Sequence, residues 1–413
     1  MPVWHARTKE LRAQNSIQVI GLVQEQHADR AQLYAAWQEF DFPILWDPFN
    51  TTESMVVPRA ILIDSGGIVR KIGARPRDLE AFLLASGYER HALPALREAL
   101  PTSLPVLKGV DLGPQEERAR VAMGRLLWPE AKDRGIADDP AQALIDLAQA
   151  NPSDGRAQFR AGVALRMRFD GANTHKQQSL GTGSLGTGSV APAVDFQSAL
   201  DHWSAALALQ PNQYIWRRRI QQYGPRLDKP YPFYTWVQEA RDAMIARGID
   251  PVPLVAELTP AELMSPRRIP ATSSDTTGPD PKGEIIRAEG LVQAQQAIAF
   301  HTDAAKSVAM VHLSLHPNET RQVHWNNEVD PTRVWLDHDS LPAGVLVDTR
   351  LLTSPSPGQA TSEEARRFSF EVTLPEGVES TTIKGYALFH VCEGEEGVCV
   401  FRRLDLSIPV RRG

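Results

Sequence analysis

Between residues 251 and 282 the chain carries seven prolines, with Ser, Thr, Asp and Gly between them. Proline fixes φ and has no N–H to donate, so a stretch this rich in it sustains neither a helix nor a strand ladder. It therefore divides the chain. At 413 residues the protein already exceeds what one hydrophobic core usually serves. The hydrophobic period also changes along the chain, from mixed to helical before the break and to alternating after it. The expected fold class is multidomain α+β: an α/β module over 1–90, a helical region over 91–250, a linker over 251–283 and an antiparallel β-sandwich over 284–413.

In the first module, helical spacing over 3–14, 30–40 and 78–85 alternates with apolar runs over 17–23, 42–46, 56–63 and 68–72, the pattern of an α/β unit. The run 17–23 is expected to be a buried strand. Ser65-Gly66-Gly67 supplies a turn between the last two runs. After the linker, Ala309, Val311, Leu313 and Leu315 alternate with His312 and Ser314. Phe368, Phe370, Val372 and Leu374 alternate with Ser369, Glu371 and Thr373, and Leu404, Leu406 and Ile408 repeat the pattern. One buried face per sheet is the expectation.

Composition narrows the function. Apolar residues are 42% and charged residues 23%, a globular balance. A net charge of -6 and a pI near 6.0 argue against general nucleic-acid binding. No run of about eighteen apolar residues suggests a membrane span, and Trp4, His5, Arg7, Lys9 and Glu10 are not the start of a secretory signal. The tandem Ser179-Leu180-Gly181-Thr182-Gly183 and Ser184-Leu185-Gly186-Thr187-Gly188 lacks the Gly-Lys-Ser/Thr ending of a phosphate loop and reads as a flexible surface loop. The sequence contains no HExxH, no Gly-x-Ser-x-Gly elbow and no paired catalytic carboxylates, so no cofactor is expected.

The segment Val56-Val57-Pro58-Arg59-Ala60-Ile61-Leu62-Ile63-Asp64-Ser65-Gly66-Gly67-Ile68-Val69, preceded by Phe42-Pro43-Ile44-Leu45-Trp46-Asp47, resembles thioredoxin-like redoxin domains of the AhpC/TSA or TlpA type. That resemblance implies a thioredoxin-like sheet lacking its first strand, a cis Val57-Pro58 bond, and Pro58 in substrate binding. It also places the family's nucleophile at the start of the first long helix, where the dipole and free amides lower a thiol's pKa. Here that position falls at Met1 or before it, and no cysteine stands there. The expectation is a module without its catalytic cysteine, or a natural chain extended upstream with a cysteine or selenocysteine.

In the helical region Ala199, Trp203, Ala206 and Pro211, together with Asn151-Pro152, Phe159 and Gly162, resemble tetratricopeptide repeats, which implies a peptide or protein partner on a concave surface. Trp216-Arg217-Arg218-Arg219 with Tyr223, Tyr231, Phe233, Tyr234 and Trp236 interleaves basic and aromatic residues as single-strand binders do. The favoured reading is a solvated helix face beside packed aromatics.

Only two cysteines occur, Cys392 and Cys399, too few for a disulfide scaffold or a four-cysteine zinc site. They flank Gly394 to Gly397. A four-residue turn sets them opposite each other with Cα atoms about 4.5 or 5.5 Å apart, where a bond forms readily. A redox pair, a structural disulfide and a metal site all stay open. The metal site would use His390, Cys392 and Cys399, and a closed zinc site would need a fourth ligand. Glu393, Glu395 and Glu396 are expected to raise the thiol pKa, with Arg402 and Arg403 opposing them.

The ending also resembles the amino-terminal immunoglobulin-like domain of the bacterial disulfide-interchange protein DsbD, with Ser407-Ile408-Pro409-Val410 matching its last strand. Two departures stand out: one extra residue between the cysteines, and Phe401-Arg402 where that family has prolines. The resemblance implies Cys392 and Cys399 as the catalytic pair, thiol- or disulfide-bearing proteins as partners, and a cell-envelope or periplasmic setting. The leading expectation is a thiol-disulfide exchange protein; the alternative is a protein-interaction scaffold with a structural disulfide.

Overall fold

The computed structural model describes residues 1–85, 113–128, 139–174, 194–225, 233–254, 258, 262–263, 278–301, 307–355, 357–394 and 398–412. The tandem repeat at 179–188, Tyr231, most of the proline-rich linker and residues 395–397 of the cysteine turn lie outside these. The architecture is mixed α+β, with nine helices and several sheets among the described residues. Contacts divide the chain into two compact units. The first comprises Met1–Ala164, Ala205–Arg217 and Trp236–Val255, the second Leu165–Ser204, Arg218–Thr235 and Ala256–Gly413.

The first unit opens with α1 (Pro2–Ala13), β1 (Gly21–Val23), α2 (Ala28–Trp37), β2 (Ile44–Trp46), β3 (Ala60–Ile63), β4 (Val69–Ala74) and α3 (Asp78–Leu84). Pro2 suits the first turn of α1, where its missing N–H leaves no bond unmade. β1 and β2 pair in parallel, with Leu22 opposite Leu45. β3 and β4 form an antiparallel hairpin whose turn is fixed by Asp64, which accepts the N–H groups of Gly66 and Ile68 at 3.0 and 2.9 Å. Gly67 takes the φ of +81° that the turn requires. The Val57–Pro58 bond is cis, as expected.

Two expectations for this module need correction. Among the described residues β1–β2 and β3–β4 are separate two-stranded ladders and form no common sheet. The run 17–23 is a strand only from Gly21, and Leu22 and Leu45 are 48% and 50% exposed. The helices cover one face only: Leu62 and Ala74 are buried with Leu79 beneath Trp4, Leu11 and Phe82, while Ile61, Ile63 and Ile72 face outward.

The rest of this unit is helical. α4 (Gly113–Leu127) packs with α5 (Pro140–Ala150). α5 starts where Asp139 accepts the Gln142 N–H at 3.1 Å, with Pro140 at its first position. α6 (Gly155–Thr174), α7 (Val194–Leu209) and α8 (Tyr214–Gln221) follow, each shared between the two units, and α9 (Trp236–Ala246) returns to the first. Phe159 stacks on Trp216 at 5.3 Å, and Trp37 of α2 stacks on Trp236 at 6.0 Å. Arg160 pairs with Glu116 at 2.8 Å. The aromatic residues of the basic stretch are thus packing surfaces: Trp216 and Tyr223 are buried and Arg218 lies 3.7 Å over the Phe233 ring.

The second unit holds the β-domain. Its strands are β5 (Val292–Phe300), β6 (Val308–Pro317), β7 (Val323–Asn326), β8 (Arg333–Leu336), β9 (Leu346–Val347), β10 (Leu351–Thr353), β11 (Thr361–Ser362), β12 (Arg366–Thr373), β13 (Ser380–Glu393) and β14 (Cys399–Arg411). One sheet has the order β5-β6-β12-β9. The other runs β10-β8-β13-β7-β11, with β14 also paired to β13. Their facing side chains, among them Val311, Leu313, Trp325, Phe370, Phe389 and Ile408, form one buried core.

One buried face per sheet does not hold for β5-β6-β12-β9. His312, Ser314 and Ser369, on the side away from the sandwich core, are buried as well. Helical residues of the same unit cover them. His312 Nε2 donates to the Tyr223 carbonyl at 2.6 Å, its Nδ1 pairs with Ser369 Oγ at 3.1 Å, and its ring lies 5.3 Å from Phe196. Gln197 of α7 caps the β5 edge, accepting the Ile298 N–H at 2.8 Å.

Candidate functional site

β13 and β14 form a long hairpin whose register runs from Ser380 opposite Arg411 to Cys392 opposite Cys399. The sequence sets this register through alternation: Ala387, Phe389 and Val391 on β13 and Leu406, Ile408 and Val410 on β14 must all face the core, and a one-residue slip would expose them. The hairpin therefore delivers the two cysteines as a directly opposed pair. They form a disulfide, with Cα atoms 4.0 Å apart. Gly394, at φ +77°, opens the turn and donates its N–H to the Gln322 carbonyl at 3.1 Å.

Side chains on a strand alternate between faces, so Cys392 and His390 share the face of β13 opposite to Val391. The bond is asymmetric. Cys392 is 3% exposed and flanked by strands on both sides, whereas Cys399 lies on the outer strand and is exposed. Around Cys399 the surface is apolar: Val398 is 80% and Phe401 40% exposed. His390 stacks on Phe401, its partner across the ladder, with centroids 4.5 Å apart.

Sequence reasoning missed one residue of this site. β7 pairs with the far side of β13 in a register that sets His324 opposite Cys392, which puts their Cβ atoms roughly 5 Å apart. Sixty-eight positions of sequence separate the two residues, and only the long-range strand pairing joins them. No local signal could have found it.

The expected electrostatics also change. Glu393 is clamped by Arg321, whose Nε and Nη2 donate to its two oxygens at 2.8 and 3.0 Å. This hydrogen bonding holds the Glu393 carboxyl below its usual range, so the repulsion expected of it is offset by an adjacent cation. Arg403 is turned to Asp280 and Asp405, at 2.8 and 2.7 Å, and its guanidinium lies 3.9 Å over the Tyr386 ring. Glu395 and Glu396 lie outside the described residues. With the sulfurs bonded to each other, no group of three or more ligating side chains is placed to hold a metal ion among the described residues.

On the core side of the hairpin tip a groove of about 380 Å³ is lined by Ile286, Leu291, Val391, Val398, Val400 and Arg402. Pro58 is exposed on the loop before β3 and belongs to the other unit. In that first unit a second groove, of about 390 Å³, opens among α4, α5 and α6, with Asn151, Arg156 and Arg160 in its wall. Among the described residues no helix is long and apolar enough to cross a membrane. Comparison of the chain with protein-family models and with curated proteins finds no match.

Proposed function

We propose that the β-domain is a thiol-disulfide exchange module with Cys392 and Cys399 as its redox pair. The observation that carries this reading is the asymmetry of the bond, one sulfur on an exposed strand and the other behind it. A partner thiolate attacks the Cys399 sulfur. As the new bond forms, the Cys392–Cys399 bond breaks and its electron pair goes to Cys392, which leaves as a thiolate. A second thiolate of the partner then attacks the mixed disulfide, releasing Cys399 as a thiolate and closing a disulfide in the partner. Both cysteine thiolates take protons from water. Two electrons have passed from the partner's dithiol to this pair.

The apolar rim of Val398 and Phe401 supports a protein or peptide partner over a small thiol. The two-sheet sandwich and its terminal hairpin support the immunoglobulin-like, DsbD-type reading of the β-domain, and with it a cell-envelope setting. The order of helices and strands over residues 1–85 supports an α/β first module of thioredoxin-like element order, with its strands in two separate ladders.

Equilibration of the whole protein in glutathione buffers, with free thiols counted, tests the proposal. A potential well above about -300 mV is expected, since structural bridges lie below that value. A potential in the structural range, or a bond that resists dithiols until the domain unfolds, would sink the redox role. One observation favours the scaffold reading instead: Leu22 and Leu45 on one ladder of the first module and Ile61, Ile63 and Ile72 on the other are exposed apolar side chains of the kind partners bury. That reading predicts that a variant lacking both cysteines keeps its partner.

A further inference from the structure

We infer that His324 and His390 are the hydrogen-bonding partners of the sulfur that Cys392 becomes on reduction, and that they raise the potential of the pair. The inference rests on the exchange reading and identifies what tunes that site. His324 stands across the ladder from Cys392 on β7, and His390 stands two residues before it on the same face. The two imidazoles thus bracket Cys392 from a neighbouring strand and along its own.

In the disulfide form, His390 Nδ1 is buried and has no hydrogen-bond partner among the described residues. Its ring is held by stacking on Phe401. A buried polar atom without a partner is destabilising, and such orphans in folded proteins call for a reason. Reduction supplies one. A disulfide sulfur has no hydrogen to give and accepts weakly. A thiolate accepts from an imidazole N–H, so the two rings stabilise the charged reduced sulfur.

The charged residues closest on that face are already engaged. Arg333 binds Asp330 at 2.8 Å and Arg403 binds Asp280 and Asp405, while Glu393, on the opposite face of β13, is held by Arg321. Asn326, the next residue of β7 on the same face, is uncharged. The imidazoles are therefore the described groups placed to act on Cys392. Bonds made only in the reduced form stabilise the dithiol relative to the disulfide. An otherwise identical hairpin without them holds its disulfide more tightly.

The test uses the whole chain in glutathione buffers and compares wild type with His324→Ala, His390→Ala and the double variant. His324→Gln and His390→Asn keep a side-chain N–H. Each alanine substitution is expected to shift the equilibrium towards the disulfide about tenfold, in line with a hydrogen bond to a charged group, which is about 30 mV for this two-electron couple. The amide variants should recover at least half of that shift on the logarithmic scale. In a Cys399→Ser background, the thiolate absorbance of Cys392 at neutral pH should fall with the alanine variants, a change that lost packing alone does not produce. A double variant within about threefold of wild type, or an unchanged thiolate fraction, overturns the inference. A wild-type disulfide as hard to reduce as a structural bridge would instead remove the exchange role, and the difference between variants would still decide the imidazoles.

Discussion

At the scale of single residues, the disulfide's two ends are chemically unlike although the sequence presents them as equals. Cys392 is shielded by β7 on one side and β14 on the other, while Cys399 has solvent beside it. In the reduced protein, iodoacetamide should therefore modify Cys399 at least about tenfold faster than Cys392, as thiol reactivity follows access as well as ionisation; timed alkylation with peptide mass spectrometry reads this, and equal rates would contradict the assigned order of attack. The bond itself spans a sequence separation of seven, a short loop for which chain entropy gives only on the order of 2 kcal/mol. His312 contrasts with the cysteines. It has no chemical task in the exchange reading, yet it joins the Tyr223 carbonyl and the Ser369 hydroxyl in a buried setting. Replacing it by alanine removes both bonds and opens a cavity, and should cost about 2–4 kcal/mol in chemical denaturation.

At the scale of elements, edges and covers carry the testable detail. β5 ends its sheet, and the Gln197 side chain bonds the Ile298 backbone there in place of another strand. Such covering limits edge-to-edge pairing. Gln197→Ala should speed hydrogen exchange of the Ile298 amide by about tenfold, the effect of losing one hydrogen bond, with the interior amides of β6 unchanged. The segment before β5 is tied to the outer face of β13 and β14 by Asp280, which accepts from Arg403 at 2.8 Å and from the Glu284 N–H at 2.9 Å; the Asp280 N–H in turn donates to the Tyr386 hydroxyl at 3.0 Å. Burial pushes the Asp280 carboxyl up, but the Arg403 bond and the backbone N–H groups outweigh it and the net shift is downward. A depressed folded-state pKa gives stability that is present above the unfolded value of about 3.9 and lost as pH falls through the folded one. Acid unfolding of this attachment should accordingly begin below pH about 4, and Asp280→Asn should flatten that part of the pH dependence. An unaltered acid limb in the variant would argue against the attachment.

At the scale of the whole molecule, apolar burial is distributed unevenly. The β3–β4 hairpin rests on Leu62, Ala74 and Leu79 with a few half-buried neighbours, whereas the sandwich core draws on both sheets along their length. Regions with few buried contacts open at lower free energy than a core. Amides of Ile61 and Ile72 should exchange at least about a hundredfold faster than those of Val311 and Phe370, which corresponds to about 3 kcal/mol less protection. Similar protection in both places would mean that the outward face of the first module is covered in solution.

Much of this protein was legible in residue order because local physics decides it. The Asp64 turn followed from its glycines, and two-residue alternation around Gly394 set Cys392 against Cys399. In each case the interacting groups lie within a few residues, and short-range sterics and hydrogen bonding suffice. Burial on the second face of β6 and the splitting of the first module into two ladders depended on which surfaces meet. The pairing of His324 with Cys392 and the capture of Glu393 by Arg321 depended on contacts across about seventy residues of chain. Such contacts form only when a sheet closes, and alternation along one strand says which face a side chain takes but not which strand comes to lie beside it.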